Sequence, residues 1–224
     1  MVLRREELFG TVHTSFLIGV DAGRQRDHSA IAVIEVHPEK QLDVSTDPET
    51  GRQHVQRMAG YTVKELHQIP LGTSYGLVVD RVRQLYWAYR GEGKVTVCVD
   101  ALGPGRPLID ALQDGGLRPI AVSAHGGQQS TVDGREAHFS KEQMVLFLSR
   151  LIGLRLLKIP RRYEAMLLPE FSPYQAHTSR NGHTTYAAPD GAHDDLLCAM
   201  YIAVYWDDQQ RRKPRAGTWD VLRR

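Results

Sequence analysis

Four acids stand where side chains can converge. Asp21 ends one apolar run, Phe16 to Asp21 (FLIGVD), and Asp100 ends another, Val95 to Asp100 (VTVCVD). Asp194 and Asp195 open a third apolar segment. Strand ends and helix starts are where an α/β sheet gathers its functional groups. One acid in such a place is weak evidence, because acids are common in loops; three such places in one chain form a constellation. Gathered carboxylates repel, so cations must offset them, and all-oxygen ligation suits hard ions such as Mg²⁺ or Mn²⁺. Two such ions about 3.5 to 4 Å apart can hold an attacking water and a leaving oxygen in line across a phosphodiester. Converging Asp21, Asp100 and the pair Asp194 and Asp195 thus ask for divalent ions and a phosphate substrate. Arg24 and Arg26 follow Asp21, Arg106 follows Asp100, and Arg135 and Lys141 come near the end of a polar stretch. These five are the candidates for holding a phosphate backbone. His193 reads as a group that fixes the turn or a carboxylate rather than a metal ligand.

The elements that must position these residues follow from the hydrophobic pattern. Phe16 to Asp21 and Ala30 to Val36 (AIAVIEV), joined by AGRQRDHS, read as a strand hairpin. Residues 37 to 60 lack periodicity and read as a loop or an extended excursion, and Tyr61 to Ile69 alternates as a third strand. Thr73 or Ser74 can cap a helix carrying Leu77, Val78, Val82, Leu85, Tyr86 and Tyr89 at the 3.6 period, stopped by Gly91 and Gly93. Val95 to Asp100 is apolar on both alternations, as a strand buried on both faces would be. A helix through Leu108, Ile109 and Leu112 and a strand from Arg118 to Ser123 come next. Residues 124 to 139 form a long polar, Gly-rich stretch, expected to be a functional or disordered loop. Ser140 caps a helix to about Gly153, Leu154 to Ile159 suits a short strand, and 173 to 188 suit a hairpin around Asn181-Gly182. The last helix is expected from His193 to about Trp206. Hairpin strands followed by alternating helix and strand make a mixed α/β sheet, antiparallel in its first three strands and then parallel, flanked by helices.

The 224 residues, 42% hydrophobic and 24% charged, suit one large domain and exclude disordered and collagen-like classes. The domain is expected over 1–208, with its core at about 16–206, followed by a basic tail over 209–224. That tail holds Arg or Lys at 211, 212, 213, 215, 223 and 224 against Asp220, and reads as either a solvated terminus or a DNA-contacting arm. No apolar stretch approaches about 20 residues, and the N-terminus lacks the apolar run of a secretory signal, so no membrane partner and a cytoplasmic setting are expected. Cys98 and Cys198 lie in apolar segments and read as reduced core thiols. The net charge of +2 is too mild to argue for a nucleic-acid partner, which leaves placement to carry that argument.

The segments I-G-V-D-A-G (18 to 23), S-A-I-A-V-I (29 to 34), I-P-L-G-T-S-Y (69 to 75), V-D-A-L-G-P-G (99 to 105) and A-H-D-D-L-L-C-A-M (192 to 200) carry a resemblance. Together they resemble the C-terminal nuclease domain of tailed-phage terminase large subunits, over most of the chain from about 16 to 206. The resemblance implies an RNase H-like (RuvC-like) fold and a metal-dependent endonuclease cutting double-stranded DNA with little sequence specificity during genome packaging. It implies that Asp21 and Asp100 ligate metal from neighbouring strands and that Asp194 or Asp195 supplies the third carboxylate. Asp195 is the first choice for direct ligation, with Asp194 beside it. Lys141 matches a family position near the DNA path. Many relatives carry a further acid three residues after the second Asp, where this chain has Cys198. Implied partners are double-stranded DNA, an ATPase motor, the small terminase subunit and the portal, in the host cytoplasm.

None of the six lysines lies in a G-x-x-x-x-G-K-[ST] context, so this chain carries no motor of its own; it is expected to be an excised domain or a separately encoded nuclease. Asp21 to Gly23 also resembles the phosphate hairpin of sugar-kinase and actin-like ATPases, which need a second lobe for which the chain leaves no room. The pattern also admits an RNase H-like Holliday-junction resolvase or a non-catalytic DNA-docking module.

Overall fold

The first strand, β1 (Ser15–Asp21), is apolar on both faces, and its alternation divides the interior. Phe16, Ile18 and Val20 enter one buried cluster and Leu17 the other. In β2 (Ser29–Thr46), Ile31 and Val33 point into the first cluster, while Ala30, Ala32, Ile34 and Val36 point into the second. A strand buried on both sides needs a layer on each side, and the rest of the chain supplies them.

The computed structural model describes residues 14–23, 28–47, 50, 53–171, 175–178, 184–187 and 194–212. After β3 (Gln53–Ile69) come α1 (Tyr75–Arg90), β4 (Lys94–Asp100), α2 (Gly105–Asp114) and β5 (Ile120–His125). Next are β6 (Thr131–Asp133), β7 (Glu136–Ser140), α3 (Lys141–Gly153) and β8 (Leu157–Lys158). A 3-10 turn (Arg161–Tyr163) leads to α4 (Glu164–Phe171), β9 (Gln175–Thr178), β10 (Thr184–Ala187) and α5 (Asp195–Arg212). The main sheet has eight strands in the order β6-β7-β5-β4-β1-β2-β3-β8, and β9 and β10 pair separately. β1, β2 and β3 are antiparallel neighbours, whereas β4 and β5 continue from β1 in parallel. This is the mixed sheet expected from the sequence. Residues of α1 and α2 cover one face, and residues of α3 and α5 the other.

Three stretches differ from the sequence reading or narrow it. Residues 37–46 and 53–60 are the outer half of a long β2–β3 hairpin, so that of the two expectations, a loop or an extended excursion, the second agrees; the register shifts at His37/Glu39 and Gln41/Asp43. Pro38 lies at the first shift, where the missing N–H is tolerated, and the side chains beyond it are mostly exposed. Strands without a buried face leave no hydrophobic alternation to read. The polar stretch 124 to 139 holds the end of β5 and the β6–β7 hairpin rather than a long loop, with Gly134 at φ 56 in its turn. Side-chain bonds of Gln128 to Glu142 (2.8 Å) and Ser130 to Gln143 (3.0 Å) fasten it to α3. The last helix runs to Arg212, so 209–212 are its final turn rather than tail: Arg211 pairs with Asp207 and Arg212 with Asp208, each at 2.6 Å. α4 lacked an expectation, because Pro169 sits inside it and its eight residues are too few to show a period. The turn at Asn181-Gly182 and residues 213–224 lie outside the described residues. No helix among the described residues is long and apolar enough to cross a membrane.

Candidate metal centre

Parallel pairing sets the first two carboxylates side by side. Val20 of β1 is in register with Val99 of β4, so Asp21 and Asp100 leave adjacent strands at the same edge of the sheet. The turn after β4 fixes Asp100, whose Oδ1 accepts from the Leu102 N–H at 3.0 Å. Two glycines of the Asp100 to Gly105 motif have distinct reasons. Gly103 takes φ 54, the left-handed region that favours glycine. Gly105 lies so close to β4 that a Cβ there would come 1.6 Å from the Asp100 carbonyl oxygen.

The third carboxylate arrives on α5, which rests directly on the backbone of β1. A Cβ at Gly19 would lie 1.7 Å from the Ala199 carbonyl oxygen. This close approach brings the first turn of α5 to the ends of β1 and β4. Cys198 Sγ then donates to Asp100 Oδ2 at 3.8 Å, and ligand atoms of Asp21, Asp100 and Cys198 all lie within 4.8 Å of one another. Asp194 is the N-cap of the helix, since its carbonyl accepts from the Cys198 N–H at 2.7 Å, and Asp195 is buried in the first turn.

Lys141 meets this group from α3. Ser140 caps that helix by accepting from the Gln143 N–H (3.4 Å), and Gln143 in turn accepts from the Tyr205 hydroxyl of α5 (2.9 Å). So held, Lys141 Nζ donates to Asp194 Oδ2 at 2.9 Å.

The residue that completes the frame escaped the sequence reading. Glu170 of α4, 4% exposed, accepts from the Leu196 N–H at 3.3 Å and the Leu197 N–H at 3.0 Å. It therefore satisfies the orphan donors that an N-cap aspartate ordinarily satisfies, while the Asp194 side chain reaches Lys141. A lone acid in the apolar run Met166 to Phe171 (MLLPEF) was its only signal in the sequence.

Electrostatics set these groups apart from surface carboxylates. Burial, then the charges of Asp100 and Asp195, push the Asp21 carboxyl well above the ordinary range. Burial also raises Asp100, against the Leu102 N–H and the Lys141 charge. Burial pushes Glu170 up to about 7 despite its two N–H bonds. The Cys198 thiol is driven well up by burial and by Asp21 and Asp100, so it stands as a neutral donor. For Lys141, burial pulls down but the charge and hydrogen bond of Asp194 outweigh it and hold the ammonium above its usual value. Carboxylates that repel one another and bind protons too tightly are a donor set that a hard divalent cation relieves, so the residues present fit such an ion.

The other candidates are placed differently. Arg106 is paired with Glu136 through two bonds of 2.8 and 3.1 Å, and Arg135 donates to the Arg118 carbonyl. Arg24, Arg26 and His193 lie outside the described residues.

No protein-family model matches the sequence, and no curated protein matches it. Solved structures do match in fold. The large terminase nuclease from thermophilic phage G20c with bound cobalt is 19% identical, at a TM-score of 0.56 over 86% of this chain and 81% of that one. The same nuclease with bound magnesium is 18% identical, at 0.54 over 88% and 83%. The large terminase nuclease domain of Thermus phage P74-26 is 19% identical, at 0.55 over 85% and 78%. The chain thus has the RNase H-like fold of the large terminase nuclease domains.

Proposed function

We propose that this chain is a metal-dependent DNA endonuclease that cuts double-stranded phage DNA with little sequence specificity during genome packaging. The observation that carries this reading is the meeting of Asp21 and Asp100, from adjacent parallel strands, with the Asp194-Asp195 turn of α5 and with Lys141. Asp21, Asp100 and Asp195 would hold two divalent ions, Mg²⁺ or Mn²⁺, with Asp194 beside them. When bound, such ions lower the pKa of water and neutralise charge on a phosphodiester. Cobalt and magnesium in the G20c nuclease support a divalent ion.

The chain's own residues supply the rest. Burial disfavours the charged forms of Asp21 and Asp100, and a bound divalent ion would favour them, which would couple loading to pH. Lys141, held at 2.9 Å from Asp194, keeps a positive charge at the rim, where a substrate phosphate can share it. Leu102 and Cys198 fix the Asp100 carboxylate from opposite oxygens. Glu170 anchors the turn that delivers Asp194 and Asp195. An ATPase motor, the small terminase subunit and the portal would be its partners, in the host cytoplasm.

Conversion of supercoiled plasmid to nicked and linear forms, with Mg²⁺, Mn²⁺ or EDTA, tests the reading. Cutting without a fixed fragment pattern, lost in EDTA and in Asp100→Asn, is the expected result. A folded Asp100→Asn protein that cuts like the parent would refute the metal assignment, and a folded parent that cuts with neither ion would refute the nuclease reading in favour of the non-catalytic docking module.

A further inference from the structure

Between Arg150 and Tyr163 the chain carries five cations, Arg150, Arg155, Lys158, Arg161 and Arg162, and no acid. This run leaves α3, forms β8 at the sheet edge and turns toward α4. Leu156 and Leu157 are buried while Arg155, Lys158 and Arg161 are exposed, so apolar side chains anchor the segment and cations face outward. Arg162 donates to the Lys64 carbonyl at 2.9 Å, which ties the run to β3. Among the described residues, no hydrogen bond or ion pair engages the side chains of Arg155, Lys158 or Arg161.

Arg155 is the telling member. The Leu156 N–H bonds to the Leu151 carbonyl (2.8 Å) and the Arg155 N–H to the Ile152 carbonyl (2.9 Å), which closes α3 as a Schellman motif. Arg155 occupies its left-handed position at φ 55, where glycine is the usual residue. An arginine there carries a backbone cost that glycine would not. No hydrogen bond or ion pair of its side chain among the described residues offsets that cost.

The register locates the patch. Lys158 faces Thr62, which lies opposite Glu35, which lies opposite Phe16, five residues before Asp21. At about 3.3 Å per residue along β1 and about 4.8 Å for each of the three strand spacings across to β8, the patch is about 22 Å from Asp21. That is the length of about six or seven base pairs of duplex.

We propose that Arg155, Lys158 and Arg161 form a second contact for the phosphate backbone of duplex DNA, about 22 Å from the point of cleavage. The contact rests on the DNA-nuclease reading and adds to it a surface that holds the substrate away from the chemistry. Its ligand is the sugar-phosphate backbone rather than the bases, since exposed cations without a fixed fork geometry carry no sequence readout.

The test uses the parent, Arg155→Gly, and the triple variant Arg155→Gly with Lys158→Gln and Arg161→Gln. Affinity for a labelled duplex of about 40 base pairs is measured in EDTA across a salt series, and cleavage is compared on that duplex and on a hairpin of about 10 base pairs. Cut at its middle, the hairpin reaches only about 17 Å to either side and falls short of the patch. The triple variant should bind the long duplex about tenfold more weakly at moderate salt, and log K against log salt should flatten by about 0.9 for each phosphate left without its cation. Cleavage of the hairpin should be unchanged. Arg155→Gly should melt at or above the parent temperature while binding the long duplex less well, a combination that a merely structural residue cannot give. Equal affinity and slope for parent and triple variant would overturn the proposal, as would equal losses on both substrates. A parent protein that neither binds nor cuts duplex DNA would overturn the nuclease reading and this second surface together.

Discussion

Replacing Gly19 by alanine should separate the two halves of the metal centre without touching a functional side chain. The added Cβ would lie 1.7 Å from the Ala199 carbonyl oxygen and 2.8 Å from its carbonyl carbon. Ordinary contact begins near 3.4 Å, so along that line α5 has to retreat by as much as about 1.7 Å (3.4 minus 1.7). Neither partner can bend aside, because both atoms belong to backbone in regular structure. Overpacking of this kind costs about 1–3 kcal/mol. The retreat carries Asp194, Asp195 and Cys198 away from Asp21 and Asp100. A displacement of about 1 Å in a catalytic constellation costs on the order of 100-fold in rate.

Circular dichroism and thermal melting would establish that Gly19→Ala folds, and plasmid cleavage in Mg²⁺ or Mn²⁺ would give its rate. The expected result is a folded protein with a lower melting temperature and a rate reduced on the order of 100-fold. Gly153→Ala, with nothing within 4 Å of its added Cβ, is the matched control: it should leave the rate unchanged and not lower the melting temperature. Adding Ala203→Gly removes only the 3.1 Å contact with the Ala203 Cβ and should not rescue the loss. If Gly19→Ala cuts at the parent rate and melts with it, the close approach of α5 to β1 does not place the site, and the reasoning fails.

Two further outcomes follow from the buried acids. Glu170 has its pKa raised to about 7, so the folded state binds its proton more tightly than the unfolded chain does. Its stabilising contribution is present below the ordinary glutamate range and is lost as pH rises toward 7. Across about 2.5 pH units the loss is on the order of 3 kcal/mol. Glu170→Gln gives up one of the two N–H bonds at every pH, because its amide nitrogen cannot accept, so in EDTA its melting temperature relative to the parent should rise between pH 5 and pH 8; parallel melting profiles would show that Glu170 is not a buried charge in the native state. Asp21 is also raised by burial and by Asp100 and Asp195, so Asp21→Asn should stabilise the metal-free protein at pH 8. The same change should remove the gain that the parent shows on adding Mn²⁺, about 2.7 kcal/mol at a hundred times its dissociation constant. An equal metal-induced rise in both proteins would take Asp21 out of the ligand set.

How much of this could be read from the sequence depended on where each signal was stored. β1 and β4 announce themselves because both of their faces are buried, and a run such as Val97, Cys98, Val99 has no other use for so much apolar surface. The acids that end them are legible for the same reason, since a charge at the end of a doubly buried strand marks where the sheet stops. The outer half of the β2–β3 hairpin was not legible. There backbone pairing alone holds residues such as Asp43 opposite Gln56, and exposed side chains of that kind carry no alternation. The β6–β7 hairpin was hidden similarly, behind polar residues whose partners lie on α3.

Within the site, the sequence named the side chains and missed the supports. Asp194 and Asp195 could be read as ligands, but nothing local says that their helix is capped from 26 residues upstream by Glu170. Cys198, in an apolar segment, reads as a core thiol, and it is buried. The same burial puts it within 4.8 Å of Asp21 and Asp100, so core and site coincide at that one position. They coincide because α5 lies flat on β1: a helix that seals the sheet with every turn has its first turn at the strand ends. Any residue that packs there is also a neighbour of the carboxylates. The first turn of α5 therefore answers to two demands at once, apolar burial against β1 and polar contact at the sheet edge. A thiol, small and apolar yet able to donate to Asp100 at 3.8 Å, meets both, whereas a larger carboxylate would add a further buried charge to a group whose members already repel.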